Sequence, residues 1–294
     1  MTHPAPWIRL DAQLLRDWPL PAVAHDADKE ARGRALVVAG SPEIAGAALL
    51  SGVAALRAGA GKLAMATAQS AAPHLSLAVP EARVIGLAVN DAGGFPEETA
   101  AVLDESVRHT DALLLGPGWM DEAGSVPFAN ALLRQVTQAA VVLDATAMKV
   151  VAHARLERTA ILTPHAGEMA SLLDCSKDEV MRDPGGLAMR AAAQWNAVVA
   201  LKGATTWIAS PGGRGWKHEG GHPGLGTSGS GDVLSGLVAG FLARGAALEQ
   251  AAAWAVVLHA MAGAQLAARV GAIGFLAREL SGEVPGLVEK LGGC

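Results

Sequence analysis

The sequence predicts an α/β fold in three layers, an α/β/α sandwich with helices on both faces of a mostly parallel central sheet. Short apolar segments alternate with longer helical segments along the 294 residues, as in repeated strand–helix units. The short segments are apolar throughout rather than at every second residue. This pattern indicates strands buried on both faces, and therefore a parallel sheet between two layers of helices.

The predicted strands are seven short aliphatic segments bounded by glycine, proline or polar residues: 35–39, 62–67, 84–89, 112–115, 140–143, 159–162 and 197–201. The predicted helices are seven longer segments: 44–58, 97–109, 123–138, 186–196, 232–244, 248–270 and 277–290. Two further segments, 206–209 and 215–219, flank Pro211-Gly212-Gly213. They predict an antiparallel hairpin at the edge of the sheet.

Composition limits the classes of function that the chain can have. Its residues are 51% apolar and its net charge is −5, which fits one domain over residues 1–294 with a core from about 30 to 290. No basic run offers a surface for nucleic acid. The two cysteines, Cys175 and Cys294, lie far apart, so we expect a reduced cytoplasmic protein without a disulfide framework.

Neither the N-terminus nor the longest apolar segment predicts contact with a membrane. The N-terminal residues include Asp11 and Asp17 and lack the apolar core of a signal peptide. The apolar segment 251–264 is interrupted by His259 and is too short to cross a bilayer. We expect it to form a buried helix.

Glycine and polar residues follow five of the predicted strands directly. These strand ends read Gly40-Ser41, Gly116-Pro117-Gly118, Asp144-Ala145-Thr146, Thr163-Pro164-His165 and Lys202-Gly203-Ala204. The carboxyl ends of parallel strands meet at one edge of a sheet, which is where open α/β sheets bind ligands. The sequence therefore predicts a long crevice at this edge.

A glycine-rich loop leads into the apolar helix predicted from residue 232. Three glycines in it, Gly226, Gly229 and Gly231, allow backbone N–H groups to turn toward one point. The helix adds unpaired N–H groups and the positive end of its dipole. We call Gly229, Ser230 and Gly231 the anion loop, because this arrangement is suited to binding phosphate.

Asp232 follows the anion loop, and the loop alone leaves two interpretations of it open. Asp is a preferred N-cap residue, so Asp232 could simply cap the helix. A carboxylate beside a phosphate site would repel phosphate unless it has a separate task. Removing a proton from a hydroxyl that attacks or accepts phosphate is such a task.

Residue spacing excludes two common phosphate-binding motifs. A P-loop requires G-x-x-x-x-G-K-[ST], but Gly61-Lys62 is followed by Leu63 and has Leu56 in place of the first glycine. A dinucleotide-binding loop requires G-x-G-x-x-G after an early strand, and residues 40–46 have the wrong spacing. What fits is a kinase-like α/β sandwich whose nucleotide site forms near the C-terminus.

Seven motifs occur in the order typical of one family, at residues 37–41 with 46–48, 57–62, 115–118, 142–145, 162–168, 201–206 and 229–236. Through them, the chain resembles the ADP-dependent NAD(P)H-hydrate dehydratase family of the ribokinase-like superfamily over about residues 30–290. The resemblance implies a ribokinase-like sandwich. Only about 30 residues precede the first strand, so we expect the single-domain form without the epimerase domain of many relatives. Thr146 departs from the family pattern, which has a second acid there.

The resemblance also implies site residues. The substrate positions that it implies are Ala47, Gly118, His165 and Asp232, with Asp232 as the catalytic base. The nucleotide positions that it implies are Lys202, Gly203, Ala204, Thr205, Thr206 and Gly231. No metal ligand is predicted.

For three of these residues, and for the nearby Glu168, another interpretation stays open. Gly118 could be a turn glycine, His165 a hydrogen-bonded loop histidine, and Lys202 a solvated lysine. Glu168 could form a His-x-x-Glu metal pair with His165, or it could be an acid in the first turn of the next helix.

The activity implied by the resemblance is the repair of hydrated nicotinamide nucleotides. ADP phosphorylates the C6 hydroxyl of (6S)-NADHX or NADPHX, and loss of phosphate then restores NADH or NADPH and leaves AMP. Mg²⁺ and the loop amides would stabilise the transferring phosphoryl group. Also implied are a homo-oligomer, with a tetramer as one form, and functional pairing with a separate NAD(P)H-hydrate epimerase.

Two alternatives stay open at the level of sequence. One is an ATP-dependent small-molecule kinase of the hydroxyethylthiazole or hydroxymethylpyrimidine type. The other is a nucleotide-binding module without activity, in which Asp232 would have no task.

Overall fold

The computed structural model describes residues 7–22, 28–152 and 154–292, so Cys294 and part of the N-terminal segment lie outside the described residues. One sheet of ten strands runs in the order β1-β10-β9-β8-β7-β6-β5-β2-β3-β4. The strands are β1 (Ile8–Arg9), β2 (Arg34–Val38), β3 (Lys62–Ala68), β4 (Ala82–Leu87), β5 (Ala112–Leu115), β6 (Ala140–Leu143), β7 (Ala160–Leu162), β8 (Ala197–Leu201), β9 (Thr206–Ala209) and β10 (Gly215–His218).

Strands β2 to β8 pair in parallel, which confirms the mostly parallel sheet. Strands β9 and β10 form the predicted antiparallel hairpin beside β8. Its predicted position at the sheet edge is wrong, because β1 pairs in parallel with β10 and places Ile8 opposite Trp216. A strand of two residues is too short to show an alternating pattern in the sequence.

Helices cover both faces of the sheet. They are α1 (Ala12–Asp17), α2 (Gly46–Arg57), α3 (Ala72–Ala78), α4 (Asp104–Arg108), α5 (Glu122–Gln135), α6 (Ala166–Leu173), α7 (Lys177–Arg182), α8 (Pro184–Trp195), α9 (Ser230–Ala243), α10 (Leu248–Arg269) and α11 (Ala277–Lys290). Short 3₁₀ helices span Glu97–Leu103, Ala145–Val151 and Pro223–Leu225. The predicted helix 97–109 is therefore a 3₁₀ segment followed by α4.

Neighbouring residues of the central strands face two separate cores. Val37 of β2 packs into the core formed with α2, α9, α10 and α11. Leu36 and Val38 pack into the core on the opposite face, formed with α5 and α8. Burial on both faces is the reason that these strands are apolar throughout, as the sequence predicted.

Helix α10 contains the apolar segment that the sequence assigned to a buried helix. The helix has 22 residues, enough to cross a bilayer by length and composition. However, 72% of its most apolar window is buried inside the protein. Burial, rather than the short length expected from residues 251–264, identifies α10 as a core helix.

Glycines allow α9 to approach α2 closely. A Cβ atom at Gly236 would overlap the carbonyl oxygen of Ser51, and one at Gly240 would overlap that of Ala55. A larger residue at either position would push the helices apart. This close contact fixes α9, and with it the anion loop at its N-terminus, against α2.

Candidate active site

The ends of β6, β7 and β8 bring together the polar residues predicted at this edge. The carboxylate of Asp144, after β6, is only 3% exposed. Its Oδ1 accepts a hydrogen bond of 2.8 Å from the Thr163 hydroxyl and lies 3.4 Å from Lys202 Nζ. The Lys202 N–H donates to the Pro164 carbonyl at 2.8 Å, which extends the pairing of β7 and β8 into the site.

Lys202 lies among carboxylates and is not a solvated lysine. Its side chain is 20% exposed, and Nζ is 3.9 Å from Glu168 Oε2 in addition to its contact with Asp144. Burial acts to lower the pKa of the Lys202 ammonium. The carboxylates of Asp144, Glu168 and Asp232 outweigh burial and hold this pKa above its usual value. Lys202 is therefore a fixed positive charge at the carboxyl edge.

The anion loop faces Lys202. Helix α9 begins at Ser230, two residues before its predicted start, so Ser230 and Gly231 belong to its first turn, whose N–H groups have no partner within the helix. A Cβ at Gly231 would lie 3.3 Å from Lys202 Nζ. The Gly231 backbone and the ammonium therefore border one space, where an anion would meet both.

Asp232 is the third residue of α9 and not its N-cap. Gly229, with a φ of 87°, occupies the N-cap position, and a Cβ there would overlap Leu50 of α2. Burial, helped by the charges of Asp144 and Glu168 and opposed by Lys202, raises the pKa of Asp232 to about 6. The capping interpretation is therefore wrong for this residue, and its carboxylate is more basic than an ordinary aspartate.

His165 and Glu168 form a capping box at the start of α6. His165 Nδ1 accepts from the N–H groups of Gly167 and Glu168 at 3.0 and 3.1 Å, and Glu168 Oε2 accepts from the His165 N–H at 2.7 Å. Glu168 is thus an acid in the first turn of α6, as the second of its two interpretations predicted. Groups of three or more His, Cys, Asp or Glu residues that could hold a metal ion are absent from the described part of the chain.

Because Nδ1 accepts from the N–H groups of Gly167 and Glu168, the neutral His165 ring carries its proton on Nε2. The side chain is 59% exposed, so Nε2 is available to a ligand. His165 is therefore both a hydrogen-bonded loop histidine and an available donor.

A cavity of about 610 Å³ extends from the anion loop and is mainly apolar. Its wall contains five of the predicted nucleotide residues: Lys202, Gly203, Ala204, Thr206 and Gly231. The wall also contains the apolar residues Pro223, Leu225, Leu234, Val256 and Ala260 and the four histidines His165, His218, His222 and His259. Thr205 lies outside this wall, next to the start of β9, where successive side chains point in opposite directions.

A second cavity, of about 390 Å³, lies on the other side of His165, which lines both cavities. Lys149 and Thr146 also line it. The Thr146 hydroxyl donates to the Trp119 carbonyl at 3.1 Å. The departure from the family pattern at residue 146 thus replaces an acid with a hydroxyl bonded to the backbone.

Ala47 and Gly118 pack closely against each other and line neither cavity. Gly118 has a φ of 70°, and a Cβ there would lie 2.6 Å from the Ala47 Cβ. Gly118 is therefore a turn glycine that also allows close packing. Its contact with a substrate stays a prediction, as does that of Ala47.

His259 belongs to the site, although it was not predicted as a site residue from the sequence. It interrupts the apolar segment 251–264, and its ring lines the larger cavity. Its Nε2 is 3.0 Å from both the hydroxyl and the carbonyl oxygen of Ser230. One polar residue within that apolar segment is the signal that could have found it.

The sheet topology, the anion loop and the cation beside it define a nucleotide-binding α/β enzyme of the ribokinase-like class. The family described as NAD(P)H-hydrate dehydratase matches residues 35–286. The ADP-dependent (S)-NAD(P)H-hydrate dehydratase of Xanthomonas campestris is 49% identical, over 95% of this chain and 96% of its own length. This chain belongs to the NAD(P)H-hydrate dehydratase family.

Solved structures agree in fold. The Bacillus subtilis ADP/ATP-dependent NAD(P)H-hydrate dehydratase, co-crystallised with ATP and Mg²⁺, matches with a TM-score of 0.85 at 29% identity, over 98% of this chain and 100% of that one. A ribokinase-like superfamily protein from Enterococcus faecalis matches with a TM-score of 0.85 at 26% identity, over 98% and 97%. These matches confirm the ribokinase-like sandwich.

Proposed function

We propose that this protein is an ADP-dependent (S)-NAD(P)H-hydrate dehydratase, a carbon–oxygen lyase that repairs nicotinamide nucleotides. It returns (6S)-NADHX and NADPHX to NADH and NADPH and releases AMP and phosphate. Membership of the family supports the choice of substrate. The observation that carries the chemistry is a carboxylate of raised pKa, Asp232, directly after a phosphate-binding turn that faces Lys202.

Asp232 acts as the general base in this proposal. The substrate hydroxyl at C6 must lose its proton when it attacks the β-phosphorus of ADP. A carboxylate with a pKa of about 6 is ionised at neutral pH and accepts a proton more readily than an ordinary aspartate. Transfer of the phosphoryl group releases AMP, and loss of phosphate from C6 together with a proton from C5 then restores the ring double bond.

The transferring phosphoryl group gains negative charge that Lys202 and the first turn of α9 would stabilise. Lys202 supplies a full positive charge, and the Gly231 N–H belongs to a helix terminus whose dipole favours anions. Both are fixed before the substrate binds, so little reorganisation is needed during transfer. The positive charge also offsets the repulsion that Asp144, Glu168 and Asp232 exert on phosphate.

Mg²⁺ is the cofactor that we propose with ADP. Protein sites for Mg²⁺ commonly use one or two carboxylates together with substrate phosphates. The carboxylates of Asp144 and Asp232 lie beside the anion loop and are suited to share a cation with the nucleotide. Bound there, Mg²⁺ would supply charge neutralisation on the phosphates.

We place the AMP part of the nucleotide in the larger cavity, whose apolar walls suit an adenine ring. His165 borders both cavities, so a substrate bound in the smaller cavity would lie beside His165 and next to the nucleotide in the larger one. The shared position supports a role for His165 in binding the substrate.

The proposed function is tested by product analysis. NADHX incubated with ADP, Mg²⁺ and the protein should recover the absorbance of reduced nicotinamide and yield NADH, AMP and phosphate in equal amounts. ATP in place of ADP, and NADPHX in place of NADHX, measure donor and substrate preference. A stable phosphorylated product without recovery of NADH would contradict the dehydratase and favour a small-molecule kinase.

We also propose that the protein is a cytoplasmic homo-oligomer, with a tetramer as the form to test, and that it works with a separate NAD(P)H-hydrate epimerase. The exposed apolar side chains of Val270, Ile273 and Leu276, close together between α10 and α11, support association. The unpaired thiol of Cys175 fits a reducing compartment. Light scattering on the purified protein tests the oligomer.

A further inference from the structure

His259 approaches the anion loop from a different helix. It lies on α10, and Nε2 is 3.0 Å from the carbonyl oxygen of Ser230. Ser230 is the first residue of α9, so the contact joins two helices at the point where the loop becomes helix. A carbonyl oxygen has two lone pairs, so it can accept from the imidazole as well as from an N–H within its own helix.

The Ser230 carbonyl and the Gly231 N–H belong to one peptide unit. A peptide unit is planar, and in the trans form its C=O and N–H point in opposite directions. A hydrogen bond that fixes the Ser230 carbonyl therefore fixes the direction of the Gly231 N–H. A bond to the carbonyl also polarises the unit and makes its N–H a stronger donor.

From this geometry we propose that His259 is a positioning residue that fixes the Ser230–Gly231 peptide unit and so holds the Gly231 N–H ready for phosphate. His259 acts through this peptide unit and does not itself touch the transferring group. The expected effect of His259 on turnover rests on the proposed function, whereas its expected effect on anion binding does not.

The protonation state of His259 agrees with this role. Burial lowers the pKa of His259 to about 4, and the positive charge of Lys202 acts in the same direction. The hydrogen bond to the Ser230 backbone acts to raise this pKa but is outweighed. The imidazole is therefore neutral at physiological pH and adds no charge beside Lys202. A contact with the carbonyl oxygen requires the proton on Nε2, because an acceptor cannot bond to an acceptor.

Two substitutions separate the donor from the volume of the ring. His259→Phe keeps a ring but removes the N–H, whereas His259→Gln retains an N–H donor at a similar reach. We expect His259→Phe to lower kcat and to weaken ADP binding by about 5- to 10-fold each, the usual effect of one hydrogen bond. His259→Gln should recover most of both, while the KM for NADHX and the Tm change little in either variant.

The same two His259 substitutions, made in a Ser230→Ala background, identify which Ser230 oxygen the His259 ring contacts. The alanine variant lacks the hydroxyl but keeps the carbonyl, so the difference between His259→Phe and His259→Gln should persist. Its disappearance would assign the contact to the hydroxyl and overturn the proposal. Equal losses in both His259 variants, or no loss in His259→Phe, would overturn it as well.

Calorimetry of ADP binding keeps this test independent of the proposed reaction. Wild-type protein that binds ADP but does not convert NADHX would contradict the proposed function. The comparison of His259→Phe with His259→Gln would then still decide the role of His259 in binding phosphate.

Discussion

Lys202 and its three neighbouring carboxylates determine the electrostatics of the site. The sequence placed Asp144 and Lys202 at the carboxyl ends of two predicted strands, and Asp232 at the end of the anion loop. Their meeting could be predicted, because parallel strands end at one edge of a sheet. The contact between His259 and Ser230 could not, because it depends on how α10 packs against α9, which the periodicity of neither helix contains.

Removing the positive charge at residue 202 should weaken nucleotide binding. Lys202→Met, which keeps much of the apolar stem, should raise the Kd for ADP by roughly 5- to 150-fold if a charge-assisted bond of about 1–3 kcal/mol is lost. Calorimetry checks the affinity. Unchanged ADP affinity would place the nucleotide phosphates elsewhere.

Filling the space beside the Gly231 backbone should have a larger effect. A Cβ added at Gly231 would lie 3.3 Å from Lys202 Nζ. Gly231→Ala should therefore be tolerated, with a small shift of the lysine side chain. The branched side chain of Gly231→Val would occupy the space of the anion, and we expect it to abolish measurable ADP binding. If Gly231→Val bound ADP as tightly as Gly231→Ala does, the phosphate would not lie at this turn.

At the scale of elements, the sequence predicted the parallel strands and long helices well and the short elements poorly. Strands β5, β6 and β8 have their predicted bounds, since runs of buried aliphatic residues end sharply. Helices α1, α3, α6 and α7 have only six to eight residues and were not predicted. Two turns of helix contain too few apolar positions to show a period.

The packing of α9 on α2 can be tested with matched glycine substitutions. Gly240→Ala would force a Cβ into the Ala55 carbonyl, and we expect a loss of about 1–3 kcal/mol in the free energy of unfolding. Gly282→Ala, in the interior of α11, has open space around its Cβ and should stabilise the protein by up to about 1 kcal/mol. Denaturant unfolding compares the two. A Gly240→Ala variant as stable as Gly282→Ala would show that the helices do not need this close contact.

At the scale of the whole molecule, the ionised Asp232 carboxylate lowers the free energy of unfolding at neutral pH. The pKa of Asp232 is higher in the folded protein, about 6, than its ordinary value of 3.8, so the folded state binds a proton there more tightly than the unfolded state does. The stability linked to this proton is present below pH 4 and is lost as the pH rises through about 6. A catalytic base is thus kept at the expense of folding free energy at neutral pH.

This linkage predicts how the stability of an Asp232→Asn variant changes with pH. The amide cannot ionise, so at pH 8 the variant should have a Tm equal to or above that of the wild type. The difference should shrink as the pH falls below 6. Thermal melts of both proteins between pH 5 and pH 8 check this, and a variant much less stable at pH 8 would indicate that the carboxylate stabilises the fold.

The central claim is that Asp232 is the base of a phosphoryl transfer from ADP, and the turnover of Asp232→Asn tests it most directly. With NADHX, ADP and Mg²⁺ at pH 8, kcat should fall by about 10²- to 10⁴-fold, the usual contribution of a general base. ADP should still bind and the variant should remain folded, as calorimetry and thermal melts would report. Turnover near the wild-type rate, or activity lost only because the variant unfolds, would contradict the account.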